Sequence, residues 1–192
     1  MRRLVYYVAT TIDGFIARED GSFDDFPWDD AYGADLLARV PEAFPAHFHE
    51  VPLTRKENRR FDAVLMGRRT YSVGLDEGVT SPYPTLDQYV FSRTMRSSPD
   101  PAVELVSDDA LEVVAGLKQG AGKSIWLCGG SDFATALLEA NLIDRLVIKL
   151  NPIVFGRGIP LFGSSSVLPA LTLVDSEIYD SGHAILEYAF GR

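Results

Sequence analysis

The sequence predicts an α/β protein: a mostly parallel central sheet flanked by helices, finished by an antiparallel hairpin at the C-terminal end. Short apolar runs rich in β-branched and aromatic residues recur along the chain. Several lack polar alternation, which is how strands covered on both faces read. Stretches with apolar residues at helical spacing lie between them. The end of the chain then changes character, with strand-like runs following one another and Asp180-Ser181-Gly182 marking a tight turn.

In chain order, residues 4–9 (LVYYVA) form the first strand. Residues 21–52 are irregular, aromatic and proline-containing, and read as an active-site flap with a short helix near 34–40. Residues 61–66 (FDAVLM) give the next strand, and a helix starts directly from it over 68–73. Residues 88–91 and 103–106 are further strands. A helix over 108–117 carries Asp108 and Asp109 in its first turn, with Leu111, Val114 and Leu117 on one face. Residues 124–128 (SIWLC) form a strand, and 131–142 a helix with Ser131 as its N-cap and Ala134, Leu137 and Leu138 inward. Strand-like runs over 146–154, 171–179 and 184–190 complete the chain.

Composition excludes several classes. With 192 residues, 46% of them hydrophobic, the chain reads as one globular domain over 1–192 with a sizeable core and no disordered character. No apolar run reaches the roughly 18 residues of a membrane span. The opening MRRLVYYVATTIDG lacks a small-residue cleavage site and reads as a strand, with no signal peptide. Cys128 alone makes no disulfide framework, so a reducing cytoplasm is expected. Eighteen Lys and Arg against 27 Asp and Glu leave a net charge of -9, which would repel nucleic acid.

Three strand ends carry glycine or small polar residues where the next segment begins. Gly67-Arg68-Arg69-Thr70 offers a helix N-terminus with two arginines and a hydroxyl. Gly129-Gly130-Ser131 lets a pyrophosphate approach the backbone before a helix. Ser92-Arg93-Thr94 adds hydroxyls and a cation. Ligands of open α/β sheets collect at such carboxyl ends, and three ends point to a dinucleotide. Arg68, Arg69 and Arg93 exceed what a diphosphate needs, so the extra 2′-phosphate of NADPH is favoured. Each motif also has a plain structural explanation, as a tight turn or a solvated arginine. Neither G-x-G-x-x-G nor a P-loop is present. Gly156-Arg157-Gly158 reads as a turn or as a substrate-contacting loop. His47 and His49 would share a strand face, but no third ligand is evident and no metal is expected. Cys128 reads as a small strand residue, since no histidine pairs with it in sequence.

Residues 9–17 (ATTIDGFIA), 64–71 (VLMGRRTY), 124–131 (SIWLCGGS) and 151–162 (NPIVFGRGIPLF) together resemble the dihydrofolate reductase superfamily. The nearer branch is that of the RibD C-terminal, riboflavin-biosynthesis reductase type. The resemblance covers nearly the whole chain and is weakest over 21–60. It implies a dihydrofolate-reductase-like three-layer sandwich and an NADPH-dependent reductase of a pyrimidine or pteridine, most like 5-amino-6-(5-phosphoribosylamino)uracil reductase. The alternatives are dihydrofolate reduction and a catalytically silent nucleotide-binding protein.

Carried over, Gly67, Arg68, Arg69 and Thr70 would hold phosphate, and Ser92 and Arg93 would flank the adenosine ribose. Gly129, Gly130, Ser131 and Phe133 would line the pyrophosphate and nicotinamide, with Val8, Ala9 and Ile16 framing the carboxamide. Candidate substrate contacts are Asp13, Trp28, Lys149, Phe155 and Arg157. Asp35 matches the acid that follows Pro-Trp in dihydrofolate reductases, although the family's spacing lands on Gly33 and a solvated helix acid explains Asp35 equally. The resemblance also implies a homodimer pairing through the late strands. The apolar runs 146–150 and 184–190 suit either that interface or a monomer's core.

Overall fold

In the computed structural model, which describes residues 1–46 and 58–191, the apolar runs become strands wherever both faces are covered. The elements are β1 (Leu4–Thr11), β2 (Phe15–Ala17), α1 (Asp30–Arg39), β3 (Phe61–Gly67), α2 (Arg68–Asp76), β4 (Asp87–Phe91), β5 (Val103–Val106), α3 (Ala110–Gln119), β6 (Ser124–Gly129), α4 (Ser131–Glu139), β7 (Arg145–Asn151), β8 (Ile159–Pro160), β9 (Leu171–Ile178) and β10 (Ala184–Phe190). A short 3-10 turn, Pro41–Ala43, follows α1. His47 and His49 lie outside the described residues.

Packing divides the chain into two compact units, Met1–Leu4 with Asp35–Gly130, and Val5–Ala34 with Ser131–Arg192. In the first, β3 is flanked by β4 and β6, and β4 by β5, all in parallel. Phe61, Ala63, Val64 and Leu65 are fully buried and Met66 nearly so, which is why this strand shows no polar alternation. α2 is the crossover between the parallel pair β3 and β4, and α3 carries the chain from β5 to β6, which pairs with β3. Glu42, buried after α1, accepts backbone N–H bonds from Arg59, Arg60 and Phe61 at 3.1, 2.6 and 2.7 Å and so fixes the start of β3.

In the second unit, β1 pairs in parallel with β7, from Val5 opposite Arg145 to Thr11 opposite Asn151. β10 runs antiparallel to β7, and β9 antiparallel to β10 with a bulge at Glu187/Tyr188. This is the expected closing hairpin. The turn between β9 and β10 places Gly182 at φ +85, where a side chain would be strained.

Some boundaries differ from expectation. α1 begins at Asp30, well before residue 34, because Asp29 caps it by accepting the Tyr32 N–H at 2.9 Å. Asp108 and Asp109 precede α3 instead of occupying its first turn, with Asp109 at φ 52. The small antiparallel pair β2–β8 was not anticipated.

Candidate active site

The carboxyl ends of β4, β3 and β6 are neighbours in the first unit, since Gly67 lies opposite Phe91 and Met66 opposite Gly129. The sequence motifs that follow these strands are thereby brought together at one edge. Gly67 is the N-cap of α2 and supplies no side-chain cap, and no acid stands in that helix's first turn. The leading N–H groups and the positive dipole end are open to an anion. Arg68, Arg69 and Arg93 are exposed, and no carboxylate pairs with them among the described residues. Charges held in this way raise the local potential instead of cancelling it.

The glycines are needed for close approach. A β-carbon on Gly67 would stand 3.3 Å from the backbone nitrogen of Gly130, and one on Gly129 3.3 Å from Thr70 Oγ1. Gly129 sits at φ +149, and its peptide bond to Gly130 is cis. Cys128 is half-buried, 3.8 Å from the Tyr83 hydroxyl, and Tyr83 packs edge-on against Trp126. Burial, then the Cys128 thiol, pushes the Tyr83 hydroxyl well above its ordinary range, so it stays neutral. Asp35 forms a 2.6 Å ion pair with Arg39 one turn along α1.

In the second unit, Ser131 opens α4, and its Oγ is buried with no hydrogen-bond partner among the described residues. A buried hydroxyl left in this state fits a ligand atom that completes it. Phe133 is half-buried in the same turn. Val8 is buried in β1 and Ala9 half-exposed beside it, while Ile16 lies in β2. Lys149 is registered opposite Ala9, with its ammonium 4.5 Å from the Tyr7 ring centroid. Arg157 is exposed and lies 3.5 Å from Glu19.

Asp13 has a structural duty. Its carboxylate accepts from the Thr11 hydroxyl at 2.6 Å and from the N–H groups of Phe155 and Gly156 at 3.2 and 2.7 Å. The Thr11 bond, followed by the two backbone donors, holds its carboxyl below the usual range. Phe155 is stacked on Phe26 at 5.4 Å, with the Arg18 guanidinium 4.4 Å above its ring. Trp28 is 63% exposed. Sequence reading did not single out His183, which bonds the Pro27 carbonyl 156 positions away. No local pattern signals a contact so distant in sequence.

Comparison with known proteins identifies the family and the fold. The RibD C-terminal domain family matches residues 2–185. The uncharacterized protein YwjB of Bacillus subtilis (strain 168) is 32% identical over 84% of this chain and 83% of its own. A candidate riboflavin biosynthesis protein of Shewanella sp. PV-4 superposes with a TM-score of 0.72 at 27% identity, covering 100% of both chains. A diaminohydroxyphosphoribosylaminopyrimidine deaminase/5-amino-6-(5-phosphoribosylamino)uracil reductase of Thermotoga maritima shares the fold, with a TM-score of 0.65 at 17% identity over 57% of its length. The structure is accordingly the α/β fold of RibD-like, dihydrofolate-reductase-fold proteins, and the chain belongs to the RibD C-terminal domain family.

Proposed function

We propose that this protein is an NADPH-dependent reductase of a pyrimidine- or pteridine-type heterocycle, most like 5-amino-6-(5-phosphoribosylamino)uracil reductase. The observation that carries the reading is the shared edge of β3, β4 and β6, where Arg68, Arg69 and Arg93 stand beside an uncapped helix start. Gly67 and Gly129 let the ends of β3 and β6 and the start of α2 pack closely, since β-carbons there would press on Gly130 N and Thr70 Oγ1. On this reading Arg68 and Arg69 would pair with the diphosphate, and Arg93 would meet the additional 2′-phosphate. Ser131 Oγ offers an uncommitted donor and acceptor at the α4 N-terminus. When bound, NADPH supplies hydride from its nicotinamide. The chain's own task is positioning, which keeps the acceptor carbon within roughly 3–3.5 Å of the donor.

Asp35 is half-buried and ion-paired with Arg39 one turn along the helix, an arrangement that an ordinary helix acid also shows. The proposal extends to a homodimer. All eight residues of β9 are exposed, among them Leu173, Val174 and Ile178, and β9 pairs with β10 alone among the described strands. An open apolar edge of this kind invites a second copy.

The test is loss of reduced-nicotinamide absorbance with 5-amino-6-(5-phosphoribosylamino)uracil and related pyrimidines and pteridines. Turnover with NADPH that falls at least tenfold in kcat/KM in Arg68→Ala is expected, equivalent to about 1.4 kcal/mol. NADPH binding without turnover on any of these compounds would instead identify a silent nucleotide-binding protein.

A further inference from the structure

His183 is 2% exposed, lies in the turn between β9 and β10, and is not among the residues proposed to hold the cofactor. Both ring nitrogens are engaged: Nε2 is 3.0 Å from the Pro27 carbonyl oxygen and Nδ1 2.9 Å from the Ser181 hydroxyl. A carbonyl only accepts, so Nε2 carries a proton and donates to Pro27. The imidazole is stacked on Tyr32 at 4.5 Å and 20°. Tyr32 in turn meets Trp28 edge-on at 6.3 Å and Tyr179 at 5.4 Å. Pro27, the residue that His183 holds, immediately precedes Trp28.

Trp28 is 63% exposed yet closely seated. A β-carbon on Gly33 would come within 2.1 Å of its Cζ2, so the indole rests directly on the helix backbone. Gly33 lies against the indole and Tyr32 meets it edge-on, while well over half of the residue stays exposed. An aromatic seated in this way with much of its surface exposed is suited to stacking on a planar ligand.

We propose that His183 is a positioning residue: its Nε2–H bond to Pro27 fixes the segment carrying Trp28 and so presents the indole as a stacking surface for a flat heterocycle. The ligand class rests on the reductase reading above, whereas the positioning itself is measurable without any ligand.

The experiment is ¹⁹F NMR of the full chain labelled with 5-fluorotryptophan, which gives one signal for Trp28 and one for the buried Trp126. Trp28→Phe assigns the two, and the Trp126 signal reports an intact fold. His183→Phe keeps a ring against Tyr32 and loses the bond to Pro27, while His183→Gln keeps an N–H donor and loses the ring. The proposal expects the Trp28 signal to move in His183→Phe and to stay near its wild-type position in His183→Gln, with Trp126 unmoved in both. Movement in His183→Gln alone, or in neither, overturns it, because the site would then depend on ring packing or on nothing at His183. Loss of NADPH binding in a separate titration would count against the reductase reading and leave this result standing.

Discussion

Gly129 is where backbone and site chemistry meet in one residue. Its φ of +149 is one that L side chains rarely adopt, and a β-carbon would press on Thr70 Oγ1 at 3.3 Å. Gly129→Ala should therefore cost about 1–3 kcal/mol in urea unfolding, from strain at a special backbone conformation. On the proposed function it should also weaken NADPH binding, because Thr70 and the start of α2 would have to shift. Asp13 gives a pH-dependent counterpart. Its carboxyl is held low by the Thr11 hydroxyl first and then by the Gly156 and Phe155 N–H groups. A group depressed in the folded state contributes fully above its unfolded value, near 4, and loses that contribution as pH falls through the folded value. Acid unfolding followed by circular dichroism should thus show a falling limb below about pH 4 that is shallower in Asp13→Asn. An equal limb in the variant would remove Asp13 from this role.

At the scale of elements, Glu42 shows how one buried side chain fixes a strand start. Glu42→Ala leaves the N–H groups of Arg59, Arg60 and Phe61 without their acceptor. The expected loss is about 2–4 kcal/mol of stability by chemical denaturation, larger than for a surface acid. Legibility in the sequence follows the same physics. β3 and β6 could be read because burial on both faces leaves an uninterrupted apolar run. The start of α1 was missed although its signal, the cap residue Asp29, was present among other aspartates. β2 and β8 span three and two residues and pair across the chain, so neither offers a period to detect. The strand-end glycines and arginines were legible as motifs. The Ser92 hydroxyl is committed locally, to the N–H groups two and three residues on, whereas the Ser131 Oγ without a partner among the described residues and the His183–Pro27 bond arise only from tertiary packing.

For the molecule as a whole, the exposed β9 bears on assembly. Ile178 is 76% exposed on that strand. Ile178→Lys should shift the elution of the protein in size-exclusion chromatography from dimer to monomer, with little change in the circular dichroism of the fold. Monomeric elution of the wild-type chain at micromolar concentration would contradict the homodimer. No helix among the described residues is long and apolar enough to cross a membrane.

The central claim is that the edge shared by β3, β4 and β6 reads the phosphates of NADPH. The most direct measurement is a thermal shift with NADPH, NADH and FMN, on the wild-type chain and on Arg68→Ala. A ligand at 100 times its dissociation constant stabilises the fold by about 2.7 kcal/mol, ample for a visible rise in Tm. The account predicts a rise with NADPH that exceeds those with NADH and FMN and is largely lost in Arg68→Ala. Equal Tm values with and without NADPH would contradict it.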